Sequence, residues 1–146
     1  SFAFSWSIPM VYSAGGFNFD QGFVYLWLGT ILWIVVYDTF YALVDKADDL
    51  KIGVRSTAIL FGKNVGLITG LIQVLVLVLW GMVGLTDDLG LIYFFSLLVV
   101  FILFVRQQFL IQSSDSEQVF KAFTENHYVG LCVFFGIFAD LLFRAH

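Results

Sequence analysis

The sequence predicts an all-α protein: a multi-pass bundle of about five transmembrane helices, forming one domain over residues 1–146. Three observations carry this expectation. Of the 146 residues, 60% are apolar and 12% charged, where soluble domains carry about 25% charged residues. The mean hydropathy is +0.94. Charge is absent from four long runs, Gln21–Tyr37, Asn64–Thr86, Leu89–Val105 and Asn126–Ala139, and such lengths suit helices crossing about 30 Å of hydrocarbon. Backbone polar groups in lipid must pair within their own segment, which favours helices. Stretches such as Leu71–Leu79 lack the alternation that a barrel strand would show.

Five apolar segments follow in order. The first runs from Phe2 to about Ala14 and contains Pro9, the only proline, where a kink is expected. Gly15, Gly16 and Asn18 then make a turn. The second segment runs from about Gly22 to Val44, the third from about Val65 to Leu85, the fourth from about Leu89 to Phe109 and the fifth from about Tyr128 to Phe143. Gly66, Gly70, Gly81 and Gly84 are expected to let helices approach closely. Asp140, late in the fifth segment, is expected to snorkel to the interface beside Arg144. The polar stretch from Gln107 to Asn126 is either a cap over one mouth of the bundle or a plain connector. His127 reads as a surface or capping group, since no second His or Cys stands at zinc-ligand spacing.

Charge sets the orientation. Lys46, Lys51, Arg55 and Lys63 lie between the second and third segments, and Arg106 and Lys121 between the fourth and fifth. The loops at Asp20 and Asp87–Asp88 have no Lys or Arg, so six of the seven basic residues fall on alternate loops and Arg144 is the exception. The positive-inside rule makes that side cytoplasmic. A net charge of −4 excludes a basic nucleic-acid surface. The single Cys132 sits in an apolar run and reads as a packed core thiol. The chain opens on apolar residues without a basic n-region, which is unlike a signal peptide. The expectation is the back part of a longer membrane protein.

Asp38, Asp45 and Asp49 are the residues that point to chemistry. Steps of seven and four residues place them within roughly 40° of one another on a helix face and over roughly 16 Å of its length. Asp48 falls roughly 80° from Asp38 at the same pitch, off the stripe. Asp38 is the deepest, and a carboxylate there is costly unless it meets water or a cation. Hard divalent ions such as Mg²⁺ take carboxylate and phosphate oxygens together. Lys51, Arg55 and Ser56 follow at once, and suit the far side of a metal-bridged phosphate. Two other readings stay open on spacing alone. One is a solvated juxtamembrane loop with local ion pairs; the other is a cation pathway through a transporter, which Lys51 and Arg55 disfavour by repulsion.

The run Tyr37-Asp38-Thr39, Tyr41-Ala42, Asp45-Lys46, Asp48 to Gly53 and Ser56 to Gly62 resembles the second aspartate-rich motif of the UbiA superfamily of intramembrane prenyltransferases. Trp6 to Met10, Phe120 to Phe123, Asn126 and Tyr128 to Leu131 resemble its flanks, so the likeness covers essentially the whole chain. Within the superfamily the stretch Asp38 to Gly62 is most similar to bacterial members that prenylate 4-hydroxybenzoate on the path to ubiquinone.

The resemblance implies a bundle of about nine helices, of which these segments would be the last five. It implies two aspartate-rich motifs facing each other across a central cavity. Asp45 and Asp49 would be the metal ligands of the second motif, and Asp38, Asp45 and Asp49 the catalytic set. Lys51, Arg55 and Tyr41 would contact the substrate diphosphate. Mg²⁺ is the implied cofactor, and polyprenyl diphosphate and 4-hydroxybenzoate are the implied substrates. The bilayer and an N-terminal half of the same enzyme are the implied partners. The first motif, of the NDxxDxxxD type, has no match, because no Asn-Asp pair occurs in the chain. This piece alone is therefore expected to be inactive. The implied location is the bacterial inner membrane, with the active site facing the cytoplasm. Other UbiA-type acceptors, namely naphthoate, homogentisate and haem, are the alternatives.

Overall fold

In the computed structural model, residues 2–46, 53, 56–113 and 115–144 are described. Among them are eight α-helices and one 3-10 turn, with no strand. The first apolar segment is broken into α1 (Phe2–Ser5) and α2 (Ser7–Gly15). Pro9 accounts for the break: it has no N–H to reach back to Ser5, and it is tolerated in the first turn of α2. Gly16, at φ 67°, ends α2, and the Phe17 N–H closes the turn on the Tyr12 carbonyl at 3.0 Å. Asp20 Oδ1 then accepts from the Phe23 N–H at 2.9 Å and starts α3 (Gln21–Val44). Trp6 against Trp27 and Tyr12 against Phe23 seat α1 and α2 on α3.

Beyond residue 55 the short α4 (Thr57–Phe61) and a 3-10 turn (Gly62–Asn64) lead into α5 (Val65–Thr86). Next come α6 (Leu91–Ile111), α7 (Ser116–Thr124) and α8 (Asn126–Arg144). Four helical stretches are long and apolar enough to cross a membrane: Gln21–Val44, Thr57–Thr86, Leu91–Ile111 and Ser116–Arg144. These hold the second to fifth apolar segments. The first segment, in its two short pieces, is not among them.

Each long helix packs on the next in sequence: α3 on α5, α5 on α6, and α6 on α8. The main core lies among α5, α6 and α8, around Trp80, Tyr93, Val100 and Val129. Tyr93 Oη donates to the Trp80 carbonyl at 2.8 Å, so the phenol finds a partner in an apolar core. Glycines set the spacing. A Cβ on Gly29 would sit 2.7 Å from Trp80 and one on Gly84 2.7 Å from Phe94, and a Cβ on Gly136 would collide with Ser96. Gly81 faces open space, and Gly66 and Gly70 lie only in ordinary contact with Gln108. Of the four glycines expected to mark close approach, Gly84 does so. In the α5–α6 seam the carboxamides of Gln73 and Gln107 meet at 2.9 Å, a hydrogen bond at membrane depth.

Asp140 departs from the sequence expectation. It does not snorkel: it is 3% exposed. Its Oδ2 accepts from the Gly90 N–H at 2.7 Å and pairs with Arg144 Nε at 3.0 Å. The carboxylate of α8 therefore caps the N-terminus of α6, where the unpaired N–H groups and the helix dipole favour a negative charge.

Candidate functional site

A second, smaller core fixes the C-terminal half of α3. Val36 and Phe40 are buried with Ile111 of α6 and Ala122 of α7. The adjoining side of α3 lines an open cavity of about 440 Å³. Thr30, Trp33, Ile34, Tyr37 and Asp38 line it from α3, and Asn126 from the start of α8. Their spacing of three and four residues is that of one helix face. The wall is mostly apolar, and Asp38 is its one carboxylate among the described residues.

Asp38 is half-buried at this wall. One turn on, Tyr41 is 48% exposed, with its ring 5.1 Å from that of Phe123. Asp45, half-buried, is the C-terminal cap residue of α3, and its N–H bonds to the Tyr41 carbonyl at 3.3 Å. The structure thus strings Asp38, Tyr41 and Asp45 along the end of one helix. Asp48, Asp49, Lys51 and Arg55 lie outside the described residues. After that stretch the chain is tied back to α3: Thr57 Oγ1 lies 3.0 Å from Thr39 Oγ1, which itself bonds to the Val35 carbonyl at 2.6 Å. Both ends of the loop after Asp45 are held at the same end of the bundle.

Helix α7, within the polar stretch from Gln107 to Asn126, lies against α3 and α6. Asp115 starts it by accepting from the Glu117 N–H at 3.0 Å. Its buried side carries Val119 and Ala122. Phe123 meets Tyr37 at 4.6 Å as well as Tyr41. A fork of Arg106 Nε and a terminal guanidinium nitrogen on the Glu125 carboxylate, both at 2.9 Å, ties the end of α7 to α6. Asn126 is fully buried between them, while the exposed His127 places Nδ1 on the Thr124 carbonyl. The sequence reading did not assign roles to Trp33, Phe123 or Asn126. A lone amide opening an apolar helix was the available signal for Asn126.

The donor chemistry fits a hard divalent ion in part. Carboxylate oxygens are what Mg²⁺ accepts, and Asp38 and Asp45 supply them. A seven-residue step, however, separates these two by about 10.5 Å along the helix, too far to chelate one ion. Asp38 and Asp45 therefore cannot share one ion along this helix. Among the described residues, no group of three or more His, Cys, Asp or Glu side chains comes together to hold a metal.

Comparison with known proteins identifies the family. The chain matches the UbiA prenyltransferase family over residues 1–137. A 4-hydroxybenzoate octaprenyltransferase of Klebsiella pneumoniae is 51% identical over 135 residues, 92% of this chain and 47% of that protein. Proteins of the same name are 49% identical in Providencia stuartii (96% of this chain, 49% of that protein) and 47% identical in Hahella chejuensis (97% and 47%). The chain spans about half the length of the curated relatives it matches. No solved structure matches it. UbiA prenyltransferases generally use a divalent metal. A bundle of long apolar helices with carboxylates at the end of one of them, matched over nearly its whole length, belongs to the UbiA prenyltransferase family.

Proposed function

We propose that this chain forms one wall of the active site of a membrane enzyme that moves a polyprenyl group from its diphosphate to the ring of 4-hydroxybenzoate. The observation that carries the proposal is the face of α3. Asp45 stands at the helix end, Tyr41 and Asp38 follow inward, and an apolar cavity continues beneath them. The names of the relatives supply the acceptor and the prenyl class.

Asp45, with Asp49, would hold Mg²⁺ against the diphosphate oxygens. The ion, when bound, neutralises the charge that develops on the leaving group. Lys51 and Arg55 add charge-assisted hydrogen bonds to the same oxygens, and Tyr41 adds its hydroxyl. The allylic C–O bond breaks with its electron pair going to the diphosphate. The ring carbon ortho to the phenol oxygen then bonds to the allylic carbon, and the ring proton leaves to a base. Asp38, inside the apolar wall, offers negative charge where the allylic cation would form, and the face of Tyr37 beside it offers cation–π attraction. The aromatic cavity shields that cation from water. The opposing half of the enzyme would bring the other acidic motif.

The site is proposed to face the cytoplasm across the bacterial inner membrane, in line with the basic loops at Lys46 and Lys121. The test is transfer of a long-chain prenyl diphosphate to radiolabelled 4-hydroxybenzoate by the complete enzyme in membranes. Asp45→Ala and Asp49→Ala should each abolish Mg²⁺-dependent turnover, and Arg55→Ala should cost less, as one contact among several. Wild-type rates in both Asp variants would overturn the metal assignment. Parallel assays with naphthoate, homogentisate and haem distinguish the other acceptors, and ion flux in vesicles distinguishes a cation pathway.

A further inference from the structure

Asn126 is 0% exposed and opens α8 among apolar neighbours. Its Nδ2 donates to the Ala122 carbonyl at 3.2 Å, and its Oδ1 accepts from the Trp33 Nε1–H at 3.1 Å. A buried amide costs free energy unless its polar atoms are paired, and an apolar residue of the same shape would fill the space as well. What the amide adds is direction. The Trp33 indole is held at its nitrogen by Asn126 and flanked by Trp80, 5.9 Å away at 63°. Gly130 is the third restraint: a Cβ there would stand 3.2 Å from Trp33 Cη2. The side left over lines the cavity with Ile34 and Asp38.

Depth tells what would meet that ring. At 1.5 Å per residue, Trp33 lies about 7.5 Å beyond Asp38 and about 18 Å beyond Asp45. A diphosphate held at Asp45 and Asp49 puts the reacting carbon near the Asp38 level. The first isoprene unit stays short of Trp33, and the second and following units extend to it. The mostly apolar wall suits such a chain and not a second charged group.

We infer that Trp33 contacts the isoprenoid chain of the donor, and that Asn126 is a positioning residue which fixes the indole there and so favours long donors over short ones. This rests on the prenyl-transfer reading above and adds to it the residues that read chain length.

The test uses the complete enzyme in membranes, with saturating 4-hydroxybenzoate and two donors: dimethylallyl diphosphate, whose single isoprene unit ends short of Trp33, and a donor of eight isoprene units. Trp33→Phe, which removes the N–H, and Asn126→Leu, which removes its acceptor, should each lower the long-to-short ratio of kcat/KM about tenfold, the scale of one lost hydrogen bond at a binding wall. The change should lie in KM for the long donor. The double variant should lose no more than either single one, because both remove the same restraint. An unchanged ratio, or losses that multiply to about a hundredfold, would overturn the inference. If Asn126→Leu fails to assemble, Trp33→Phe and Trp33→Leu decide it through the same ratio. Absence of turnover with both donors in the wild type would instead refute the prenyl-transfer reading.

Discussion

Asp140 is placed by contacts that spacing alone does not reveal. Its i,i+4 relation to Arg144 is visible in the chain, but its bond to the Gly90 N–H crosses fifty residues. Asp140→Ala leaves that N–H and the Arg144 guanidinium without their acceptor and should cost about 1–3 kcal/mol. Asp140→Asn, which keeps an oxygen for Gly90, should cost less. Gly90→Ala should also destabilise, because its Cβ would meet Asp140 Oδ1 at 2.8 Å. Thermal unfolding of the purified enzyme in detergent measures all three, and equal melting temperatures for Asp140→Ala and wild type would remove the capping role. The same contrast holds at the candidate site. The ladder Asp38, Tyr41, Asp45 is legible from helical pitch, since all three lie on one element. What packs against this helix, Phe123 on Tyr41 and Asn126 on Trp33, was not legible, because Phe123 and Asn126 arrive from helices more than eighty residues further along the chain.

At the scale of elements, the long helices follow the charge-free runs closely, since hydrocarbon length leaves little choice of structure. The fourth segment starts two residues later than the sequence suggested, at Leu91, because Asp140 caps the helix at Gly90. Helix α7 was hidden for the opposite reason. It is short and polar on its outer side, and its Val119, Ala122 and Phe123 stripe is too brief to separate from a connector. Its packing is nonetheless specific. Ala122 is 0% exposed in the core with Val36 and Phe40. Ala122→Leu should push α7 from α3 at a cost of about 1–3 kcal/mol. Phe123→Ala should release the contacts to Tyr37 and Tyr41, worth about 0.5–1.5 kcal/mol each beyond area burial. Both variants should speed tryptic cleavage at the exposed Lys121, which requires local opening of α7. A cleavage rate equal to wild type in both would show that α7 is held by other contacts. The Gln73–Gln107 bond behaves differently: Gln73→Leu strands the buried Gln107 amide, whereas Gln107→Leu leaves Gln73 its contact with the Gln108 amide, so the double variant should lose less than the sum of the singles.

Across the whole molecule, charge is divided between two ends. Four of the described basic residues, Lys46, Lys63, Arg106 and Lys121, lie at one end; the other end has Asp20, Asp87 and Asp88 and, paired with Asp140, Arg144. The carboxyl of Asp87, beyond the end of α5, is pushed above the usual carboxylate range, first by partial desolvation and then by Asp20 and Asp88, against a lowering bond from Thr86. Its carboxylate lies against Gly22, where a Cβ would collide with it. Because its folded pKa is raised, the folded state holds this proton more tightly than the unfolded chain. The stabilisation is complete below the ordinary carboxyl value of 3.8 and is lost as pH rises through the folded value. Asp87→Asn should therefore flatten the fall in melting temperature just above that pH. A fall as steep as in the wild type would reassign it to another group. The division of charge also makes a claim about orientation, since only the basic end is expected inside. A cysteine at the exposed Ser116, in an enzyme with Cys132→Ala, should resist a membrane-impermeant maleimide in intact spheroplasts and react once the membrane is opened. A cysteine at the exposed Asp88 should react in both. The reverse pattern would place Asp38 and Asp45 at the outer face, and would send the diphosphate donor to the wrong side of the membrane for the chemistry proposed.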